Sequence, residues 1–306
     1  MILLWGVSGD RPLALVHQAL QRHGAPVLFL DQSAFLETEL ELSFSPQVRG
    51  TLRVSGKWVE LANITAAYIR PHDLRLLPEI RNAEPGGAVR THAIRLEDAL
   101  LCWTELTSAL VVNPPSAMAS NGSKPYQSAL IRWFGIDVPE TLITTDPNAA
   151  LEFWEKHGSV VYKSVSGVRS IVSRLGSEHS SRLQNIANCP TQFQEYIAGR
   201  DFRLHIVGDE FFISEIISDA DDYRYAIKTG CRLKIRPGSL PEDVVGRCRA
   251  LVAFLGLRFS GVDLRRNQDG KWYCFEVNPS PGFSFYEEAT GQPISDAVAR
   301  LLINDR

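Results

Sequence analysis

Little in this chain of 306 residues points to covalent staples, a membrane or nucleic acid. Its five cysteines (Cys102, Cys189, Cys231, Cys248 and Cys274) are odd in number and scattered, and no two form a CxxC pair. That argues against both a disulfide framework and a zinc site. No uninterrupted apolar run approaches the ~18 residues of a membrane span. The opening Met1-Ile-Leu-Leu-Trp-Gly6 lacks the basic flank and long apolar stretch of a signal peptide. A cytoplasmic setting is therefore expected, with no membrane partner. A formal charge of −3 argues against nucleic acid as well. Among the seven histidines no Ser/His/Asp or Cys/His set stands out, and His205, on an alternating strand, reads as structural. Gly6-x-x-Gly9 falls short of the full dinucleotide fingerprint and reads as a turn.

What is there is ordinary soluble material, 44% hydrophobic and 22% charged, with apolar residues enough for its own core. Residues 1–111 alternate between strands and helices. Ile2–Val7 reads as a strand, Pro12–His23 as a helix stopped by Gly24, and Val27–Asp31 as a second strand. A hairpin turns at Ser55-Gly56, and the strand Ala66–Ile69 ends at Arg70-Pro71. A long helical pattern follows through Leu96, Leu100, Trp103 and Leu106, and its apolar face could serve a homo-oligomer. Val111-Val-Asn-Pro-Pro-Ser116 reads as a linker into a second unit, 112–190, and a third runs over 191–306.

The most telling stretch is a pair of strands, Phe259–Arg265 and Trp272–Asn278, joined by the turn Asn267-Gln-Asp-Gly270. Side chains alternate along a strand, so Glu276 and Asn278 share a face, and pairing across the turn can bring Asp263 to the same place. Two carboxylates and an amide carbonyl are hard oxygen ligands suited to Mg²⁺ carried by a nucleotide phosphate. A charged hairpin rim is the plainer alternative. Glu276, however, lies within the apolar run Tyr273-Cys-Phe-Glu-Val277, where an unpaired carboxylate would be costly.

Four further elements fit a nucleotide site. Lys124 opens the Pro125 helix, where its ammonium and the helix N-terminus both favour phosphate. Lys163 ends the strand Val160–Lys163 and precedes the small loop Ser164-Val-Ser-Gly-Val-Arg-Ser170, whose Ser166 and Gly167 can lie over phosphates; Arg169 either touches a ligand or caps the loop. The strand Phe193–Ile197 offers the Glu195, Tyr196 and Ile197 backbone to an adenine edge, and Asp201 or Glu195 could accept ribose hydroxyls. Arg203 and Arg224 could neutralise a phosphoryl group in transfer; for Arg224, pairing with Asp221 or Asp222 is the plainer alternative. Between Arg224 and Arg236 five basic residues occur with no acidic one. Within it Arg232, Lys234 and Arg236 alternate, as a solvated strand edge or a dock for an acidic partner.

In this order, Lys124, Lys163 with its loop, Gln194-Glu-Tyr-Ile197, Asp201-Phe-Arg203, Gly261-Val-Asp263 and Glu276-Val-Asn-Pro279 resemble the ATP-grasp superfamily. The resemblance covers about residues 111–304, and residues 1–110 are similar to the Rossmann-like α/β domain that precedes that fold. Within the superfamily the chain is most similar to RimK-type α-L-glutamate ligases and to the ligases that mature microviridin-type peptides. The tail Phe285–Ile294 and the strand end Tyr68-Ile-Arg-Pro71 look like the latter. The stretch Ser280-Pro-Gly-Phe-Ser284 looks like the former.

This resemblance implies an α/β fold with a central ATP-grasp small lobe over 112–190 and a C-terminal lobe over 191–306. It implies that Lys124, Lys163, Ser166 and Gly167 hold ATP phosphates, that Glu195, Tyr196 and Ile197 grip adenine, and that Asp201 binds ribose. Asp263, Glu276 and Asn278 would hold two Mg²⁺ ions, with Arg203 and Arg224 as the catalytic arginines. The implied activity is a ligase that joins a carboxylate to an amine or hydroxyl through an acyl phosphate, releasing ADP and phosphate. The substrate would be a peptide or protein, or a small amino-acid-like molecule. A phosphotransferase and an inactive ATP-binding regulator are the alternatives.

Overall fold

The structure is a computed structural model describing residues 1–44, 48–165, 172–219, 223 and 230–304. Ser166, Gly167, Arg169 and Arg224 lie outside the described residues, as do Asp221, Asp222 and Lys228. The first strand, β1 (Ile2–Gly6), is buried along its whole length, as expected of a central parallel strand covered on both faces. It pairs in parallel with β2 (Val27–Asp31). An antiparallel trio, β3 (Glu39–Ser43), β4 (Arg49–Val54) and β5 (Lys57–Glu60), follows in the chain. β6 (Ala66–Arg70) then pairs with the other side of β1, and β7 (Leu110–Val112) completes a parallel sheet of order β2-β1-β6-β7.

Helix α1 (Arg11–Arg22) begins where Asp10 accepts a bond from the Leu13 N–H at 2.8 Å and Pro12 fills the first turn. Gly6, read as a turn, is a packing position, since a Cβ there would stand 2.9 Å from both the Arg70 carbonyl oxygen and Leu13. After the short α2 (Pro78–Arg81) comes α3 (Ala88–Leu106). Its residues Leu96, Leu100 and Trp103, expected to offer an oligomer face, are instead buried against the other face of the same sheet with Leu3, Trp5 and Ile69. The helix stops at Leu106, and Leu110 already belongs to β7.

The stretch read as a linker opens inside β7 and continues through the buried Asn113 into α4 (Pro115–Met118). Helix α5 (Lys124–Trp133) and α6 (Pro147–His157) accompany a small antiparallel sheet. Its strands are β8 (Thr141–Thr144), β9 (Val160–Ser164), β10 (Ser173–Arg174) and β11 (Thr191–Glu195), in the order β10-β9-β11-β8. β11 is thus hydrogen-bonded between β9 and β8, so the smaller sheet extends beyond residue 190.

A five-stranded antiparallel sheet carries the rest. It comprises β12 (Gly199–Val207), β13 (Glu210–Ser218), β14 (Leu233–Pro237), β15 (Phe259–Asn267) and β16 (Trp272–Asn278), ordered β14-β13-β12-β15-β16. One face packs on α5 and on α7 (Glu242–Phe254) through Leu204, Val262, Cys274 and Leu251. The other meets the N-terminal sheet. Val207, Ile216 and Phe259 share a core with Leu4, Val16 and Tyr68, closed by α8 (Ser284–Thr290) and α9 (Ile294–Asn304) through Tyr286, Val298 and Leu302.

Candidate active site

Strand register decides what meets at the centre of the large sheet. Arg203 on β12 lies opposite Asp263 on β15, which lies opposite Glu276 on β16; Gly261 lies opposite Asn278. Between Asp263 and Leu264 the β15–β16 ladder shifts, leaving Phe275 as the extra residue of a β-bulge. The bulge resets the alternation. Cys274 and Val277, three apart, both turn into the core, while Glu276 and Asn278 line a cleft on the other face. Glu276, expected to be pressed among apolar neighbours, is therefore only part-buried and opens to that cleft.

The cleft, about 380 Å³, is lined by Arg203, Asp263, Glu276 and Asn278 together with Tyr223 and Tyr286. Arg203 is its buried cation. Nη1 donates to Asp263 Oδ1 at 2.6 Å, Nε donates to His205 Nε2 at 3.4 Å, and the guanidinium stands 5.7 Å from the Tyr286 ring centre. Burial is the largest influence and works against its charge, but Asp263, Tyr286 and Tyr223 together offset it and hold the Arg203 pKa above its usual value. His205 is fully enclosed; burial first, and the neighbouring guanidinium second, push its pKa well down, so the ring is neutral. Tyr223 and Tyr286 close the roof through a 2.8 Å contact between their hydroxyls.

Among the described residues, the other predicted ones do not line this cleft. Lys124 is the first residue of α5 and Lys163 the fourth of β9, both part-buried. The Glu195 carboxylate accepts from the Glu140 N–H at 3.2 Å, and the Tyr196 ring lies 3.9 Å beneath the Arg174 guanidinium. Ile197 is buried, and its carbonyl accepts from Arg265 Nη1 at 2.8 Å. The same Arg265 holds Asp201 by two bonds, at 2.6 and 2.8 Å, so a ribose hydroxyl at Asp201 would share the carboxylate with a guanidinium. The basic strand edge exists. Arg232, Lys234 and Arg236 are all exposed, and Arg236 pairs with Glu215 at 2.7 Å, which also takes Arg200.

Three connections had no sequence signal. Asn113 reaches Phe259 and Pro279 at the two ends of the β15–β16 hairpin. Gln127 on α5 bonds the backbone of Val277. Arg70 pairs with Asp10 at 2.9 Å and donates to Ser280 Oγ and the Pro281 carbonyl at 3.0 and 3.1 Å. Burial would raise the Asp10 pKa, but Arg70 holds it below the usual carboxylate range.

A sequence profile described as the RimK-like ATP-grasp domain matches residues 121–302, more than half of the chain. Among curated relatives, a ribosomal protein bS6–L-glutamate ligase of Escherichia fergusonii is 27% identical over 243 residues, spanning 76% of this chain and 77% of that protein. A probable alpha-L-glutamate ligase of Stenotrophomonas maltophilia is 26% identical over 224 residues, spanning 67% and 73%. Among solved structures, the macrocyclase MdnC bound with precursor peptide MdnA, from Microcystis aeruginosa, superposes with a TM-score of 0.84 at 22% identity, covering 99% of this chain and 100% of that one. The ATP-grasp ligase PsnB complexed with minimal precursor, Mg and ADP gives 0.78 at 27% identity, covering 99% and 96%.

ATP-grasp ligases use ATP and Mg²⁺, and the donors present suit that ion. Among the described residues the Glu276 side chain has no hydrogen-bond or ion-pair partner, and Asp263 gives only Oδ1 to Arg203. Asn278 Oδ1 accepts from the Ser280 N–H at 2.9 Å and keeps a second lone pair. Profile, fold and oxygen-rich cleft agree: the chain belongs to the RimK-like ATP-grasp family and is an ATP-dependent ligase.

Proposed function

We propose that the chain activates a carboxylate of a peptide or protein with MgATP and transfers it to an amine or hydroxyl. The observation that carries this reading is the single cleft joining Asp263, Glu276 and Asn278 to the buried guanidinium of Arg203. A carboxylate is a poor electrophile. In the proposed reaction its oxygen attacks the γ-phosphorus of ATP, the bond to the β–γ bridging oxygen breaks, and ADP leaves. The amine or hydroxyl then attacks the acyl carbon, the C–O bond to phosphate breaks, and inorganic phosphate departs while the nucleophile's proton passes to solvent. Such chemistry asks for positioning and charge rather than a protein nucleophile.

In this reading Asp263, Glu276 and Asn278 hold two Mg²⁺ ions, which supply positive charge against the phosphate oxygens. Lys124 and Lys163, with Ser166 and Gly167, hold the phosphates. The Glu195–Ile197 backbone takes adenine, and Asp201, shared with Arg265, takes ribose. Arg203 and Arg224 stabilise the phosphoryl group in transfer; Arg203 is pre-set by Asp263 and needs no reorganisation when charge develops. A peptide substrate is supported by the likeness to PsnB, whose structure holds a precursor peptide, and by the exposed basic edge at Arg232 and Lys234. A cytoplasmic site of action is in keeping with five unpaired thiols.

The test is ADP release with acidic peptides as substrates. Glu276→Gln is expected to abolish it while leaving the fold intact, and normal turnover in that variant ends the reading. Hydroxylamine should trap a hydroxamate, which separates acyl-phosphate chemistry from phosphate transfer to the substrate. Efficient ligation of free amino acids alone, with peptides ignored, would overturn the substrate assignment.

A further inference from the structure

β16 is an edge strand, so its outward backbone groups need partners from outside the sheet. Two elements supply them. The Asp137 carbonyl accepts from the Cys274 N–H at 2.8 Å. Three residues further on, the Gln127 side chain takes over: its Nε2 donates to the Val277 carbonyl at 2.8 Å and its Oε1 accepts from the Val277 N–H at 2.9 Å. One primary amide thus reproduces the pair of bonds that a neighbouring strand would make. Val277 is fully buried and Gln127 is 3% exposed, so water cannot substitute for either bond.

The position of this bridge gives it meaning. Val277 separates Glu276 from Asn278, and both of those side chains line the cleft. Gln127 follows Lys124 by three positions on α5, on the same side of the helix. A single buried amide therefore joins the start of the lysine-bearing helix to the strand residue between two metal ligands.

We propose that Gln127 is a positioning residue. It sets the separation between Lys124 and the Glu276/Asn278 pair, so that one nucleotide can meet both the phosphate lysine and the metal. This rests on the assignment of those residues to phosphate and Mg²⁺ above. Leucine at this position would leave the Val277 N–H and C=O buried and unpaired. Glutamate would keep the acceptor for the N–H but set an oxygen against the carbonyl. In both cases the damage falls on how the metal is held, not on contacts to the nucleotide itself.

The experiment is calorimetric titration of ADP into the full chain with and without Mg²⁺, alongside hydrogen exchange at the Val277 amide. The unaltered protein should bind ADP about tenfold or more tightly with Mg²⁺, and Gln127→Leu and Gln127→Glu should cut that gain to roughly threefold or less. Metal-free ADP affinity should stay within about twofold in both variants. Val277 exchange should quicken by about a hundredfold in Gln127→Leu and much less in Gln127→Glu. Leu251→Ala, a fully buried change on α7 that touches neither bond, should keep the Mg²⁺ gain and so separates positioning from general loss of stability. A full Mg²⁺ gain in Gln127→Leu despite faster Val277 exchange overturns the proposal; if that variant does not fold, a full gain in Gln127→Glu does so. No Mg²⁺ effect in the unaltered protein would overturn the metal assignment itself, and is recognised because it precedes any substitution.

Discussion

The guanidinium of Arg203 lies across the bare Cα of Gly261, so close that a Cβ there would stand 2.2 Å from its terminal Nη2. Glycine inside a strand marks a close approach, and here the approaching group is the cleft's buried cation. Gly261→Ala should push the guanidinium out of its place beside Asp263. The atoms met are the far end of a side chain, so the cost should fall on the reaction more than on folding. The expected result is roughly a hundredfold loss in the rate of ADP release with a melting temperature lowered by only a few degrees. A coupled ADP assay and thermal unfolding check it, and near-normal rates would remove Arg203 from the mechanism.

Asn113 gives a second prediction. Its Nδ2 donates to the Phe259 and Pro279 carbonyls, both at 2.6 Å, and its Oδ1 accepts from the Arg258 and Phe259 N–H groups at 2.8 and 3.2 Å. Asn113→Ala strips partners from four backbone groups at a site 2% exposed. A stability loss of about 3 kcal/mol or more is expected in urea unfolding. Asn113→Asp should be nearly as damaging, because a carboxylate has no donor for the two carbonyls. A loss under ~1 kcal/mol would show that water replaces the side chain.

The Asp201–Arg265 pair can be apportioned by a double-mutant cycle. Both side chains are mostly buried, 17% and 13% exposed, and the contact is bidentate. Asp201→Asn and Arg265→Met should each destabilise, with a coupling energy of about 2 kcal/mol. The KM for ATP carries the other half of the test. If Asp201 also holds ribose, Asp201→Asn should raise that KM even in the Arg265→Met background. An unchanged KM would leave Asp201 with a structural role alone.

Glu97 on α3 predicts a pH dependence. Burial first, then the neighbouring Asp98, push its pKa up to about 7, with Gln32 donating to its Oε1 at 3.0 Å. Between the unfolded value of 4.5 and about 7 the folded chain therefore holds a proton that the unfolded chain has released. Stability from this group is full below 4.5 and declines as pH rises through 7. Glu97→Gln, which never ionises, should match the parent at pH 4 and exceed it in stability at pH 8. Parallel urea curves at those two pH values check the sign.

How far these relationships could be read beforehand follows from their range along the chain. The hairpin, its turn and the shared face of Glu276 and Asn278 follow from alternation and a Gly-containing turn, all local. The bulge at Phe275 does not, because nothing in Tyr-Cys-Phe-Glu-Val tells an even strand from an interrupted one. The periodicity of α3 revealed an apolar face but not what covers it, and the cover is the chain's own parallel sheet. Glu39-Leu-Glu-Leu-Ser43 alternates only twice, too short a pattern to mark β3 as a strand. Gln127 and Asn113 look like ordinary polar residues. Their partners are backbone groups 150 and 146 positions away, so only the folded chain explains their burial.

The bulge at Phe275 also divides β16 into two independently editable halves. The side chains of Cys274 and Val277 answer to the packing of the lobe beneath them, so small apolar changes there, such as Cys274→Ala, should leave the chemistry above untouched. Deleting Phe275 is a different kind of event. With the interruption gone, strict alternation would return, and every residue on one side of it would rotate by half a turn about the strand. Carboxylate and oil would then change places, in a lesion no larger than one codon.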